Sequence, residues 1–161
     1  MIKIFDNLLS KGLQLRIHKS LLSLNYIEEY DRPNEKSTGF ASEIDNTSPI
    51  YGALTDVLSE IDELKDKELY RSYVNKFLPG EIPFFHTDHN TKESYTALYY
   101  SLESKINVDE LGETQFYLSE LDETKGILPT PGRIIIFNSN ILHRATSFRN
   151  IDRYTIAFKY R

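Results

Sequence analysis

The sequence predicts a mainly β fold of α+β class, a sandwich or jelly roll with helices in its N-terminal part. Three observations predict it. Residues 69–161 carry many short β-forming runs separated by Gly, Pro, Asn and Asp turn signals. Residues 1–68 carry apolar residues at three- and four-residue steps instead. No run alternates strand, long helix and strand as a parallel sheet would require. The 161 residues suffice for one domain with a real core. The expected organisation is therefore a single domain over 1–161, with 1–68 as helix-rich support and 69–161 as the β core.

In the first part Ser10 is placed to cap a helix in which Leu13, Ile17, Leu21 and Leu24 recur on one side. His18 lies in that helix and is read as a structural histidine. Residues 26–30 read as a short strand. Residues 31–48 are polar, with Pro33, Gly39 and several Asn, Asp and Ser, and read as a loop. Ser48-Pro49 then reads as a cap followed by proline at the first helical position. Leu54, Val57, Leu58, Ile61 and Leu64 form the apolar stripe of the helix that follows. In the second part, strands are expected over 69–78, 95–102, 114–118, 133–137, 141–145 and 153–160. A short run is expected at 84–88, and an acidic turn over 119–126.

The net charge of −5 supplies no basic field of the kind nucleic-acid binders use. There is no run of 18 apolar residues of the length a membrane span requires. Asp6 interrupts what would be the apolar part of a signal peptide, so the expectation is a cytoplasmic protein. With no Cys, disulfides, thiolate metal sites and thiol nucleophiles are excluded, and a metal must use His, Asp and Glu.

Three of the four histidines, His86, His89 and His143, lie in the β half. In His86-Thr87-Asp88, residues two apart on a strand project to one face. An imidazole and a carboxylate pointing into one cavity are two ligands of a two-His-one-carboxylate face, and His143 is the candidate third. Such a face leaves positions open, as non-haem Fe(II) oxygen chemistry requires; it can equally hold a catalytic zinc. His89 alternates away from His86 and reads as a loop residue near the pocket mouth. Ten residues after His143 comes Arg153, with Thr155 on the same strand face. A cationic fork with a hydroxyl beside it is a seat for a carboxylate.

The ordered set His86-x-Asp88, His143, Arg153-x-Thr155 resembles the Fe(II)- and 2-oxoglutarate-dependent oxygenases, in their prolyl 4-hydroxylase-like branch. The resemblance covers roughly 69–161 and is weaker in the N-terminal helices. It is carried by Asn75-Lys76-Phe77-Leu78-Pro79-Gly80 leading to Phe85-His86-Thr87-Asp88, and by Ala97-Leu98-Tyr99-Tyr100-Ser101-Leu102. Gly112-Glu113-Thr114-Gln115-Phe116 resembles a Gly-Gly-Glu-Thr-x-Phe turn. Pro131-Gly132-Arg133-Ile134-Ile135-Ile136-Phe137 precedes Leu142-His143-Arg144, and Asp152-Arg153-Tyr154-Thr155-Ile156-Ala157-Phe158 resembles the closing strand. There are two departures. Leu111 stands where the paired-Gly turn has its first Gly, so a looser turn is expected. Phe77 stands near where many relatives place a cosubstrate-reaching Tyr. Tyr100 is the better candidate for that role, because Leu98 and Tyr100 share a strand face and Tyr99 takes the other.

The resemblance implies a double-stranded β-helix, a cupin-like jelly roll, with helices packed on its outside. It implies that His86, Asp88 and His143 hold Fe(II) as the catalytic centre. 2-Oxoglutarate would chelate the metal, with Arg153 on its distal carboxylate and Thr155 and Tyr100 donating hydrogen bonds. O2 would take the last position, and a C–H bond would be hydroxylated with release of succinate and CO2. The branch points to a prolyl residue in a peptide or protein, with residues 31–48 and 89–94 as the walls of a substrate groove. A free amino acid or another small molecule is the alternative substrate. A zinc hydrolase, and a non-catalytic cupin-like metal- or sugar-binding module, are alternatives of a different class. Nucleic acid is disfavoured: relatives that repair alkylated bases close on an Arg-x5-Arg motif, and position 159 here is Lys.

Overall fold

Ser10 and Ser48 start the two helices as the sequence leads one to expect. In the computed structural model, which describes residues 1–29 and 38–161, helix α1 runs Lys11–Leu21 and the Ser10 hydroxyl accepts from the Leu13 amide. Helix α2 runs Pro49–Ser59, and the Ser48 hydroxyl accepts from the Tyr51 amide. Each cap satisfies an amide with no partner inside its helix. The apolar stripe of α2 outlasts the helix. Turns carry it on to Ile61 and Leu64, which are buried with Leu54 and Leu58.

Ten strands accompany the helices among the described residues. They are β1 Ile2–Phe5, β2 Ile27–Glu29, β3 Gly39–Glu43, β4 Leu69–Phe77, β5 Tyr95–Ser101, β6 Thr114–Leu118, β7 Glu123–Ile127, β8 Ile134–Asn138, β9 His143–Ala145 and β10 Arg153–Tyr160. Seven form an antiparallel sheet in the order β1-β8-β5-β10-β4-β3-β2, and three form a smaller one, β7-β6-β9. This is the arrangement of a double-stranded β-helix with helices packed outside.

Four expectations need correction. Residues 1–68 supply three strands as well as two helices, and β1, β2 and β3 all pair into the larger sheet. The stretch 31–48 contains β3; its residues 31–37 lie outside the described residues. The expected acidic turn over 119–126 holds only for 119–122, and strand β7 takes the rest. The run 84–88 is no strand, only a single bridge from His86 to His143. The missed strands are short or polar: β1 and β7 are edge strands and β3 is next to the edge, so backbone pairing holds them and few of their side chains are buried.

The larger sheet is covered on both faces. Ala97, Tyr99, Ile134, Ile136, Ile156 and Phe158 pack against the helices. Leu98, Tyr100, Ile135, Phe137 and Ala157 face the smaller sheet, together with Phe116 and Ile127 from it. Both faces are apolar over most of their area, so Ile134-Ile135-Ile136-Phe137 reads as a continuous run rather than an alternation. The exception is the inner face of β10. There Arg153, Thr155 and Lys159 are buried polar residues in line with Ala157.

Candidate metal centre and the pocket behind it

His86 and Asp88 are brought together by backbone bonds from two directions. His86 and His143 exchange both amide-to-carbonyl hydrogen bonds at 2.9 Å, and the Asp88 amide donates to the Ser139 carbonyl at 2.8 Å. These bonds do the work expected of strand pleating. One ligand atom from each of His86, Asp88 and His143 lies within 4.8 Å of the others. His86 Nε2 is 3.7 Å from Asp88 Oδ1, and His143 Nε2 is 3.4 Å from Asp88 Oδ2.

Each ring's tautomer follows from its other nitrogen. His143 Nδ1 lies 2.8 Å from the Ile141 carbonyl, and His86 Nδ1 lies 3.1 Å from the Phe84 carbonyl. A carbonyl only accepts, so both Nδ1 atoms carry the proton and both Nε2 lone pairs face the carboxylate. This is the orientation in which metal-binding histidines are held. His143 is buried against the rings of Phe137 and Phe116, whereas half of the His86 side chain is open to solvent. His89 turns to its own loop and accepts from the Thr91 amide.

Burial acts to raise the Asp88 carboxyl. The Lys159 ammonium paired with it outweighs this and holds the group well below the usual carboxylate range. Desolvation, and then the facing His143, hold the His86 imidazole below its ordinary value; desolvation does the same for His18 in α1, which contacts the Ser101 hydroxyl. A histidine depressed on folding stabilises the fold above its unfolded pKa of about 6.5, and this contribution is lost as the pH falls through the folded value. The metal-free protein is therefore expected to melt at a lower temperature at about pH 5 than at about pH 7. A melting temperature that stays flat across that interval in thermal scans would contradict this account.

Behind the histidines a cavity of about 160 Å³ runs along the inner face of β10, lined by Arg153, Thr155 and Lys159 and by Tyr73, Asn75 and Phe77 of β4. Arg153 is only 1% exposed, and among the described residues no carboxylate forms an ion pair with it; Glu113 acts on it only from longer range. Its Nε donates to the Gly112 carbonyl at 2.8 Å and one terminal nitrogen donates to the Thr114 hydroxyl at 3.0 Å. Burial lowers its pKa. The Thr155 hydroxyl is fully buried and has no hydrogen-bond partner among the described residues. A buried cation with no carboxylate in direct contact, beside a hydroxyl with no partner among the described residues, is costly unless an anion completes it. The donor set and these unsatisfied groups fit a divalent metal at one end and a carboxylate at the other.

Tyr100 stands one step back. Its hydroxyl donates to the Thr114 hydroxyl at 2.6 Å, so Thr114 lies between it and Arg153. Tyr99 faces the helices and Tyr100 the interior. Of the expected groove walls, Thr38 lines the cavity with Glu29, and no residue of 89–94 does. The site also contains residues that sequence reasoning missed: Lys159 and Thr96 against Asp88, and Thr114 beside Arg153. Counting in twos from Arg153 along β10 would have reached Lys159.

The turn that presents the Gly112 carbonyl to Arg153 is tight despite Leu111. Leu111 adopts φ 64° and ψ −130°, a conformation that favours glycine, and Gly112 follows at φ 79°. A Cβ on Gly112 would lie 2.1 Å from the Phe148 ring. Leu111 is 46% exposed and buries little. Leu111→Gly is expected to raise stability by about 1 kcal/mol, or about 2–4 °C in melting temperature; an unchanged or lower value would show that the turn is not strained.

No protein-family model matches the chain, and the search of curated proteins found none similar to it. Solved structures do match over 99% of its length. A prolyl hydroxylase from Trichoplax adhaerens, in complex with a hypoxia inducible factor oxygen degradation domain peptide fragment, has a TM-score of 0.77 at 18% identity, with 82% of that chain covered. A Pseudomonas putida prolyl-4-hydroxylase has a TM-score of 0.72 at 15% identity, with 92% covered. HygX from Streptomyces hygroscopicus, with nickel and 2-oxoglutarate bound, has a TM-score of 0.72 at 12% identity, with 82% covered. At these identities the shared property is the fold, that of the prolyl hydroxylases and of HygX.

Proposed function

We propose that the protein is an Fe(II)- and 2-oxoglutarate-dependent dioxygenase that hydroxylates a C–H bond, in the first instance of a prolyl residue in a peptide or protein. One observation carries this reading. A single cavity has a His-Asp-His cluster at one end and, at the other, a buried arginine with no ion-paired carboxylate and a buried hydroxyl with no partner among the described residues. His86 Nε2, His143 Nε2 and an oxygen of Asp88 would hold the iron. Arg153 would pair with the distal carboxylate of 2-oxoglutarate, and Thr155 would donate to it. Tyr100 would act through Thr114, fixing the hydroxyl that Arg153 leans on.

When bound, the iron and cosubstrate supply the oxidising power: one atom of O2 enters the substrate C–H bond and the other enters 2-oxoglutarate, which leaves as succinate and CO2. The chain itself binds, orients and excludes water. The Phe137 and Phe116 rings beside His143 and the Phe77 ring facing Arg153 keep the inner cavity apolar between its charged ends. The open side of His86 faces the mouth, and Ile82 and Phe84, exposed on the segment leading to it, offer apolar surface to a pyrrolidine ring.

The test is succinate formation with Fe(II), 2-oxoglutarate and O2, in the presence of proline-containing peptides, free proline or other amino acids. Peptide-dependent succinate, with a gain of one oxygen atom on proline in the mass spectrum, is the expected result. Hydroxylation of free amino acids alone would reassign the substrate to a small molecule. Turnover with none of them would remove the support for a prolyl substrate.

A further inference from the structure

Lys159 is a buried ammonium to which the proposed reaction assigns no task; the residue is 6% exposed. Its place follows from register. Residues 153, 155, 157 and 159 of β10 face the cavity, and β10 pairs with β5 so that Lys159 lies directly opposite Thr96. The two side chains meet on one atom. Lys159 Nζ forms an ion pair with Asp88 Oδ2, and the Thr96 hydroxyl donates to the same oxygen at 2.6 Å. The Ser139 hydroxyl, 3.0 Å from that of Thr96, helps to orient it. Asp88 Oδ1 lies 3.7 Å from His86 Nε2 and takes neither donor, whereas Oδ2, 3.4 Å from His143 Nε2, takes both. A lysine on the inward face of a strand is rare, because desolvating the ammonium is costly unless it is paired. Here it is spent on a carboxylate that also has a metal to hold.

We infer that Lys159 and Thr96 together hold Oδ2 of Asp88 away from the metal, so that Asp88 binds through Oδ1 alone. This rests on reading His86, Asp88 and His143 as metal ligands, and it deepens that reading. The two lone pairs of Oδ2 are occupied by an ammonium and a hydroxyl. The consequence is a count of open positions. Two imidazoles and one carboxylate oxygen leave three sites of an octahedron free. A carboxylate binding through both oxygens would leave two. A chelating 2-oxoglutarate would fill both, and O2 would have none. Lys159 is thus a positioning residue: it acts through Asp88.

Counting the waters on the metal tests this without turnover or substrate. Mn(II) is loaded into the purified protein, and bound waters are counted from the broadening of electron-spin lines in 17O-enriched water. Lys159→Met removes the donor while keeping length, and is expected to lose one bound water relative to the wild type. Lys159→Arg keeps a donor and is expected to retain it. If Lys159→Met does not fold, Thr96→Val removes the other donor without changing charge and is expected to shift the count in the same direction. An unchanged water count in every folded variant that lacks a donor would overturn the inference. Failure of the wild type itself to bind Mn(II) would overturn the metal-ligand reading beneath it, which is a distinguishable result.

Discussion

Replacing Arg153 with methionine is expected to weaken 2-oxoglutarate binding by about thirtyfold or more, since truncating one partner of a buried charge pair costs about 2–5 kcal/mol. The metal should still bind, because Arg153 touches none of His86, Asp88 or His143; its hydrogen bonds go to Gly112 and Thr114. The melting temperature without cosubstrate should not fall. A guanidinium that is 1% exposed, with no ion-paired carboxylate among the described residues, is a cost to the empty fold, and an apolar side chain of similar length relieves it. Calorimetric titration of 2-oxoglutarate into the metal-loaded protein, with thermal scans beside it, reads both halves. Equal affinity in the variant and the wild type would mean that the buried cation serves only the fold.

His86→Ala and His143→Ala are expected to differ in stability while agreeing in metal binding. Each removes one of three ligands, and the loss should exceed the roughly 10–100-fold that outer partners of metal ligands alone are worth. His143 is buried with its ring 4.6 Å from that of Phe137. Its truncation opens a cavity and should cost about 2–4 kcal/mol. Half of the His86 side chain is solvent-exposed, so its truncation should leave the melting temperature of the metal-free protein nearly unchanged. Metal titration and thermal unfolding of both variants decide the matter. Retained metal binding in His86→Ala would remove it from the ligand set.

The parts of the fold that sequence reasoning reaches are those whose signals are chemical and local. Ser10 and Ser48 are recognisable caps, and β6 and β10 have the bounds that their Thr, Tyr, Phe and Ile content indicates. What escapes it is set by tertiary pairing. Strand β3 is Gly-Phe-Ala-Ser-Glu and β7 is Glu-Thr-Lys-Gly-Ile. Each is held by backbone bonds to a stronger neighbour rather than by its own side chains. The three proposed metal ligands are visible as a spacing, but the cause of their convergence, the paired bonds between His86 and His143, is not. Lys159 illustrates the limit best. A lysine near the end of a terminal strand reads as solvent-exposed; its spacing from Arg153 gives its face, but only the closure of β10 against β5 brings that face to Asp88.

The visible spectrum of the purified protein, loaded with Fe(II) under anaerobic conditions and then given 2-oxoglutarate, tests the central claim most directly. The account predicts a weak metal-to-ligand charge-transfer band that saturates with 2-oxoglutarate and is absent, at the same concentrations, in His143→Ala and Arg153→Met. Full iron binding with no such band in the wild type would mean that 2-oxoglutarate does not chelate there, and would contradict the dioxygenase assignment.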